Sequence, residues 1–461
     1  MYAGIESIGR TVVRVVSGVA LVASIAVPAV AQESSPDDSS AVVSKSAPPV
    51  NERAKVRMIT LSHFRPHDAR SLNMFEPPKP EIAPYDGFKL EWGAAFTQQF
   101  QALDHENNAT PNVVAGTNLN QLIVIGNGFN NADANLYMDA QLAKGIRVAL
   151  TSYLSSRHHN ETWVKDGYLL IDGVPWENAT LDNIMKAVTV KVGHFEINYG
   201  DQHFRRTDNG QSMFNPLVGN LIMDAFTTEI GAEVYARKNG YLGMISVTGG
   251  EVRGTVLKPE NRSPSVIGKL GMDRKFGDAR VRVTGSLYTT HTSNNNTLYS
   301  GSRAGSRYYY VLENVNSTES AQAWSGDIQP GFTRKVTAWV VNPFIQFGGL
   351  ELFGNIEQAE GRNAVETSNR TWKQYAGEGV YRFLNNQLYL AARYNQAKGR
   401  LVGGTSDVTV DRTEAGGGWF LTNNLEAKAE YVQQNYRDYP VTDIHHDGKF
   451  HGMMVEAAVS F

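Results

Sequence analysis

The sequence predicts an all-β fold, a transmembrane antiparallel up-and-down β-barrel of about 16 strands, with a signal peptide and a flexible N-terminal extension before it. Three observations predict this fold: an export signal, repeated alternation of apolar and polar residues, and connections that are alternately short and long. The 461 residues include 43 Gly, 20 Tyr and 19 Phe, which suits aromatic strands joined by tight turns.

Charge and cysteine content exclude several classes of protein. The 43 basic and 46 acidic residues give a net charge of −3, which offers no positive field for nucleic acid. Only one stretch is long and apolar enough to suggest a buried helix, which excludes a polytopic helical membrane protein. The absence of cysteine excludes disulfides, thiolate metal sites, a cysteine nucleophile and a lipid-anchored lipoprotein.

Residues 1–31 have the pattern of a secretory signal peptide. Two arginines precede an apolar run over 15–27, and Ala29-Val30-Ala31 supplies the small residues that a signal peptidase requires. The run is shorter than the roughly 20 residues that span a bilayer, which argues against a membrane anchor. We therefore expect cleavage before Gln32 and export from the cytoplasm.

Residues 32–84 form a Pro/Ser-rich extension, and we expect the barrel to occupy residues 85–461. Repeated prolines interrupt any regular element in the extension, which is typical of a flexible linker. One stretch, 61–74, also suits a short amphipathic turn that docks on the protein. Its candidate docking residues are Phe64 and Leu72, together with Phe75, the aromatic residue that follows the stretch. A tethered linker and a docked segment are the two interpretations.

From Tyr85 onward, apolar and polar residues alternate, as expected for strands with one apolar face. In the first strand the apolar face consists of Phe88, Leu90, Trp92, Ala94 and Phe96. A soluble β-sandwich alternates in the same way, but its connections follow no rule of length. Here short turns such as Asn239-Gly240 alternate with long polar connections such as 201–225, as a barrel with one loop-covered rim requires.

Counting with this parity predicts sixteen strands at 88–99, 131–142, 145–155, 165–172, 187–200, 226–237, 241–249, 265–274, 279–290, 335–346, 350–358, 371–383, 387–396, 411–420, 425–433 and 450–461. The weakest assignment is the connection 172–186, which falls on the short-turn side although it is long enough for a small helix. Aromatic residues near strand ends are candidates for an interfacial girdle, with lumen or loop positions as the alternative. They are Trp92, Tyr168, Tyr241, Trp339, Tyr381, Trp419 and Tyr431.

The chain ends on a predicted strand whose last residue is Phe461, with apolar residues at every second position before it. This pattern resembles the terminal strand that bacterial outer-membrane barrels present to their assembly machinery. We therefore assign Phe461 as a candidate assembly signal. Together with the export signal, it predicts a location in the bacterial outer membrane.

Barrel closure places the charged face inward, and sixteen strands leave a polar, water-filled lumen unless loops or the N-terminal segment fill it. The basic residues that the alternation assigns to the lumen are Lys89, Arg147, Lys191, Arg237, Lys269, Arg280, Arg282, Arg382, Arg393 and Lys428. Acidic candidates are equally numerous and include Asp139, Glu233, Glu351, Glu378 and Glu456. These charges form either a wall of pairs between neighbouring strands or a dedicated path for ions.

The connection 201–225 is the best candidate for a constriction because it lies in the first half of the barrel and carries His203, Arg205 and Arg206. Arginine supplies planar, multi-donor contacts to anions, which a narrow and partly desolvated passage strengthens. An ordinary surface loop is the competing interpretation.

Two segments resemble the phosphate-selective porin O/P family. Residues 190–200 read Val-Lys-Val-Gly-His-Phe-Glu-Ile-Asn-Tyr-Gly, which is similar to that family's Val-Gly-x-Phe strand and Phe/Tyr-Gly turn, with Asn198 where a proline is common. Residues 417–432 are similar to its penultimate hairpin, with an aromatic pair before an Asn-containing turn. The resemblance implies a sixteen-stranded, usually trimeric outer-membrane channel.

We therefore expect an outer-membrane porin that gives passive diffusion of small hydrophilic solutes or ions through a charged lumen. The expected partners are outer-membrane lipid, these solutes, the barrel assembly machinery and two further copies of the chain in a homotrimer. No nucleic acid, cofactor, metal or catalytic residue is expected.

Two other classes of function stay open on the sequence alone. A barrel hydrolase would use a histidine cluster, either Asp443, His445, His446 and Asp447 or His158-His159 with Glu161. A surface-adhesion or envelope-anchoring protein would use the long connection 291–334 or the Pro-rich extension.

Overall fold

The structure is a computed structural model that describes residues 64–77, 79, 85–130, 132–155, 162–254, 256–301 and 306–461. The predicted signal peptide, most of the predicted extension and the His158-His159-Glu161 cluster lie outside these residues. All statements below concern the described part of the chain.

Sixteen long strands form one closed antiparallel barrel in chain order. They are β1 (Lys89–Glu106), β2 (Asp133–Ala143), β3 (Ile146–Ser155), β4 (Thr162–Ile171), β5 (Val188–Glu196), β6 (Thr228–Lys238), β7 (Tyr241–Thr248), β8 (Ser265–Phe276), β9 (Ala279–Thr290), β10 (Lys335–Phe347), β11 (Leu350–Arg362), β12 (Arg370–Phe383), β13 (Leu388–Arg400), β14 (Asp407–Thr422), β15 (Leu425–Arg437) and β16 (Lys449–Ser460). A two-residue strand, Gly128–Phe129, pairs beside β1. The predicted fold class and strand count are confirmed.

The barrel closes where β1 pairs with β16, in a register that runs from Ala95 opposite Ser460 to Glu106 opposite Lys449. Beyond this ladder, the backbone N–H and C=O of Phe461 both bond to Ala94 at 2.9 Å. A closed sheet has no edge, so its backbone groups are satisfied without water, as a hydrocarbon environment requires.

Apolar side chains cover the outside of the barrel. In β1 the outward residues Leu90 and Trp92 are 41% and 63% exposed, whereas the inward Gln99 and Gln101 are buried. The same division holds around the barrel, where exposed apolar residues include Leu136, Ile230, Ile245, Leu270, Leu287, Leu352 and Leu390. This belt is the surface that contacts acyl chains.

The short connections follow their predicted turn chemistry. Asn239 and Gly240 have φ of 54° and 78°, as a type I′ hairpin between β6 and β7 requires. The long connection between β4 and β5, which the sequence showed to be long enough for a small helix, contains α1 (Ala179–Met185), where Asn178 caps the N-terminus by accepting from the Leu181 N–H at 3.0 Å. The short turns lie at one end of the barrel, which we call the short-turn end. Phe88 and Phe461 lie at the same end.

Six of the seven candidate girdle residues face outward, and the seventh does not. Trp92, Tyr241, Trp339, Tyr381, Trp419 and Tyr431 are exposed. Tyr168 instead lines an internal cavity described below.

Two loops and the N-terminal segment fold into the barrel. The inner loop (197–227) contains the 3₁₀ turn Gln202–Phe204, and the second inner loop (291–334) contains α2 (Glu319–Gln322) and a small pair of strands, Tyr308–Tyr309 and Trp324–Ser325. The N-terminal segment (64–77) contains the 3₁₀ turn Ala69–Ser71. Outside the barrel lie the 3₁₀ turn Pro259–Asn261 and the paired strands Val113–Val114 and Thr117–Asn118.

The N-terminal segment lies across the short-turn end of the barrel. The Ala69 N–H donates to the Asn423 carbonyl at 2.9 Å in the β14–β15 turn, and Arg280 of β9 donates to the Asn73 carbonyl at 2.8 Å. Phe75 is 2% exposed and packs edge-on against Phe344 of β10. For residues 64–77 the structure therefore has the docked arrangement rather than the tethered linker.

An apolar core occupies much of the barrel interior. Val218 and Ile222 of the inner loop, Leu298 and Tyr308 of the second inner loop and Phe195 of β5 belong to one buried cluster. The expected lumen, wide and filled with water, is therefore reduced by the loops and the N-terminal segment. In the described part of the chain, no helix has the length and apolar character needed to cross a bilayer.

Candidate functional site: a charged cavity beside the inner loop

The inner loop crosses the lumen and divides it in two. Its Gly210 carbonyl accepts from the Thr97 hydroxyl of β1 at 2.7 Å, and its Val218 N–H donates to Glu430 of β15 at 2.6 Å. We call the part enclosed by β10–β15 the packed side, and the part beside β2–β6 the cavity side.

Buried ion pairs lock the inner loop to the packed side. Arg205 donates to Glu378 of β12 at 2.7 Å, and the same carboxylate accepts from Arg393 of β13 at 2.9 Å. Next to this pair, Arg382 donates to Glu351 at 2.7 Å. All five residues are 7% exposed or less, so these charges are removed from water. Such a wall holds the loop in place and offers little free charge to a solute.

A second buried cluster ties the N-terminal segment to the inner loop. Glu76 and Asp201 both bridge to Arg282 of β9, at 2.9 and 2.8 Å, and Asp201 also lies 2.7 Å from the Lys269 ammonium. Burial alone would raise the pKa of Glu76, but Lys269 and Arg282 outweigh burial and lower the pKa to about 2. Glu76 is therefore ionised and paired at neutral pH.

The cavity side contains an opening of about 230 Å³, which we call the wall cavity. Six cations and five carboxylates line it together with aromatic rings. The cations are Arg65, Arg147, Lys165, Lys191, Arg206 and Arg237, and the carboxylates are Glu76, Asp139, Asp166, Glu196 and Asp208. The rings include Phe64, Tyr137, Tyr168, Phe204, Phe214 and Tyr235. The wall cavity extends along β4 from Lys165 to Leu170, about 17 Å at the usual rise of a strand.

At the short-turn end the cavity wall is basic. Strand register places Arg147 opposite Leu170, and Leu170 opposite Lys191. Arg237 lies one strand further on, where its guanidinium donates to the Pro77 carbonyl of the N-terminal segment. Lys191 meets Glu233 at 3.6 Å, but no carboxylate of the described residues lies within 4.0 Å of Arg237.

At the other end, Lys165 meets three carboxylates: Asp166 at 3.3 Å, Glu196 at 2.5 Å and Asp208 at 2.9 Å. Sequence alternation did not single out Lys165 because simple alternation cannot bury two consecutive residues. The β3–β4 pairing shifts register between Thr151 and Ser152, and this bulge turns both Lys165 and Asp166 inward. No motif in the sequence indicates that bulge.

The N-terminal segment also lines the wall cavity, together with the barrel strands and the inner loop. The Arg65 guanidinium donates to the Phe204 carbonyl at 3.4 Å and lies 4.6 Å from the centre of the Phe214 ring. Burial lowers the pKa of Arg65 to about 10, against the opposing charges of Glu196 and Glu76. His67 stacks on Tyr137 with ring centres 3.6 Å apart. The sequence did not indicate Arg65 and His67 individually, because alternation assigns only strand residues to the lumen and the N-terminal segment is predicted only as possible filling.

Most of the predicted lumen and constriction residues fall into two groups, and the remaining lysines are paired: Lys269 with Asp201, Lys428 with Glu456 and Lys89 with Asp86. His203, Arg147, Arg206, Lys191 and Arg237 come together around the wall cavity. Arg205, Arg282, Arg382 and Arg393 are buried in the ion pairs described above, and Arg280 pairs with Asp273 at 2.6 Å on the β8–β9 wall. Arg206 reaches Asp224 at 2.9 Å, so the neighbours Arg205 and Arg206 point to opposite sides of the inner loop.

The histidine cluster at 443–447 lies in the connection between β15 and β16. The Nδ1 of His445 lies 2.9 Å from a carboxylate oxygen of Asp443 and the ring centre lies 4.9 Å from that of Tyr436, while His446 contacts the Tyr439 carbonyl at 2.7 Å. Among the described residues, no group of three or more His, Asp or Glu side chains is arranged to hold a metal ion.

A closed barrel with an apolar outside, a charged inside and a loop folded into its lumen is the architecture of an outer-membrane porin-type barrel. Its location is the outer membrane. No protein-family model and no curated protein sequence matches the chain.

Several solved structures have a similar fold. One is the anion-selective porin from Comamonas acidovorans, with 10% identity and a TM-score of 0.50 over 81% of this chain and 100% of that chain. Another is OprB of Pseudomonas putida, with 11% identity and a TM-score of 0.48 over 81% of this chain and 94% of that chain. OmpF of Salmonella typhi has 14% identity and a TM-score of 0.47 over 82% and 99%. At these identities the likeness concerns the fold.

Proposed function

We propose that the protein is a passive channel for small hydrophilic solutes or ions and that the wall cavity is its path. The observation that carries this proposal is the charged cavity that follows β4 for about 17 Å along the strand, which at a strand tilt of about 40° covers about half the height of the roughly 25 Å apolar band of such barrels. Flux follows the concentration gradient, and no covalent chemistry takes place.

The inner loop acts as the constriction in this proposal. His203 and Arg206 face the path, while Arg205 anchors the loop to Glu378 on the packed side. Fixed charges in a narrow passage bind a solute weakly enough to release it and select among ions by sign. The family resemblance to phosphate-selective porins adds an expectation of anion transport.

Single-channel recording in a planar bilayer tests the proposal. The purified full-length mature chain should give discrete, ohmic conductance steps in KCl, and a KCl gradient should give the permeability ratio of the two ions. A folded preparation, identified by its heat-modifiable electrophoretic mobility, that gives no conductance steps refutes the channel.

The same proposal includes a homotrimer and recognition by the barrel assembly machinery. Light scattering of the detergent-solubilised protein measures the oligomeric state directly, and a monomer contradicts the trimer. For assembly, Phe461 follows β16 and its side chain is 59% exposed, so its ring is accessible on the barrel. Phe461→Ser should lower the amount of folded protein in the outer membrane without changing its refolding in detergent.

A further inference from the structure

The wall cavity combines guanidinium groups that keep unused donors with flat aromatic rings, and this combination points to a kind of solute. The inference rests on the proposed channel function and concerns what the channel binds. It requires both the charges and the rings of the cavity.

The five carboxylates of the wall cavity are all engaged. Asp139 meets His67 at 3.2 Å, Glu76 meets Arg282, and Asp166, Glu196 and Asp208 surround Lys165. A cationic solute would have to displace one of these partners. The acidic groups therefore offer no ready site for a cation.

Several cations, in contrast, keep unused donors. Arg147 is 1% exposed and bridges Asp172 through one nitrogen, while its Nε and Nη1 have no hydrogen-bond partner. The Nε atoms of Arg65 and Arg237 are also buried and without a partner, and among the described residues neither guanidinium has a carboxylate within 4.0 Å. Buried donors of this kind favour an anionic acceptor, because leaving them unsatisfied is costly.

The rings lie next to these donors. The Arg147 guanidinium is 5.5 Å from the centre of the Phe64 ring, and the Lys191 ammonium is 4.5 Å from that of Tyr168. Phe214 lies beside Arg65 at 4.6 Å. A flat apolar group can stack on such a ring while an attached carboxylate reaches the neighbouring guanidinium. An inorganic anion uses the cations but gains nothing from the rings.

We propose that the wall cavity is a binding subsite for small organic anions that carry a carboxylate on a flat apolar body. The guanidinium donors of Arg147 and Arg237 hold the carboxylate, and Phe64, Tyr168 and Phe214 offer faces for the apolar body.

The test uses single-channel current in KCl with one of three probes added: benzoate, inorganic phosphate or benzylammonium. Benzoate should interrupt the current at concentrations at least about tenfold below those at which phosphate or benzylammonium does, a difference equivalent to one charged hydrogen bond or one stacked ring. Phosphate that interrupts the current as strongly as benzoate overturns the organic part of the proposal. Stronger interruption by benzylammonium overturns the anionic part. An absence of KCl conductance refutes the channel itself, which is a separate outcome.

Substitutions test the cationic part and the aromatic part of the subsite separately. Arg147→Gln and Arg237→Gln should each weaken benzoate interruption about tenfold and lower the permeability ratio of chloride to potassium. Phe64→Ser removes no charge, so it should weaken benzoate interruption while changing that ratio by less than either arginine variant does. The matched control is Arg274→Gln, which removes the same charge at the same end of the barrel from an outward side chain beside Tyr241. If Arg274→Gln has the same effect as Arg147→Gln, the effect is one of total charge and the subsite is wrong.

Discussion

Arg393 and Arg237 both project into the lumen from barrel strands, but their surroundings differ. Arg393, on the packed side, lies between Glu378 and Glu414 at 2.9 and 3.4 Å. Arg237, on the cavity side, contacts the Pro77 carbonyl, and its Nε has no partner. The charges of the packed side thus hold the inner loop in place, whereas the cavity side keeps guanidinium donors available to a solute. Residue type alone does not distinguish a structural charge from a functional one.

The largest expected effect follows from removing the N-terminal segment, which covers the short-turn mouth of both sides. Deletion of residues 64–77, which keeps Lys79 in place, should raise the single-channel conductance several-fold, because the wall cavity then loses the wall formed by Arg65 and His67. The double substitution Phe75→Ala and Glu76→Gln weakens docking without shortening the chain and should give an intermediate increase. Unchanged conductance in a folded deletion variant means that the inner loop, not this segment, limits the flow.

The packed side should be sensitive to the loss of a single carboxylate. Glu378→Gln leaves Arg205 and Arg393 buried without their shared partner, which should cost about 3–5 kcal/mol of unfolding free energy. The loss is measured as a lower temperature for the disappearance of the heat-modifiable folded band. Glu106→Gln is the control, since the exposed pair of Glu106 with Lys449 contributes little. Similar losses for both variants contradict a structural role specific to the packed side.

Some strand boundaries could be predicted from the sequence and others could not. Strand β9 occupies 279–290 as predicted, because its alternation is regular and a Gly-Asp turn precedes it. Strand β1 instead continues to Glu106, seven residues past its predicted end, and β14 begins at Asp407 rather than 411. These extensions lie on the long-loop side beyond the apolar band, where no lipid imposes an apolar face. Hydrophobic alternation therefore detects the part of a strand in the membrane and misses the part outside it.

The site was less predictable than the barrel because its contacts join distant parts of the chain. Arg205 and Arg206 were candidates for one constriction, yet Glu378, on which Arg205 depends, lies 173 positions away. Similarly, Phe64 and Phe75 were recognised as possible docking residues, but nothing in their spacing identifies the lumen as the surface they pack against. Local patterns assign residues to a face, and only the fold decides which partners share it.

Arg205 and Arg206 are neighbours in the inner loop but point to the packed side and the cavity side, so substituting each of them tests whether the two sides differ in role. Arg205→Ala should destabilise the barrel by about 3–5 kcal/mol, since Glu378 is buried, while leaving ion selectivity near that of the parent protein. Arg206→Ala should cost less, about 1–3 kcal/mol, because its partners Asp224 and Asp208 are partly exposed. It should also shift the permeability ratio toward potassium. Reversal potentials and folded-band stability on both variants decide the assignment, and identical behaviour of the two contradicts a divided lumen.

The smallest expected effect is a pH dependence that originates at Lys79. Its ammonium donates to the Thr189 hydroxyl at 3.0 Å and to the Val188 carbonyl, at the basic end of the wall cavity. Burial lowers the pKa of Lys79 to about 8, Arg237 and Arg147 act in the same direction, and Asp172 opposes them. As pH rises from 7 to 9, Lys79 loses its proton and the cavity loses one positive charge, so the permeability ratio of chloride to potassium should fall modestly. Because Lys79→Gln removes the titrating group, that variant should hold the lower ratio across the whole range. A variant that still shows the parent protein's pH dependence assigns the titration to another group.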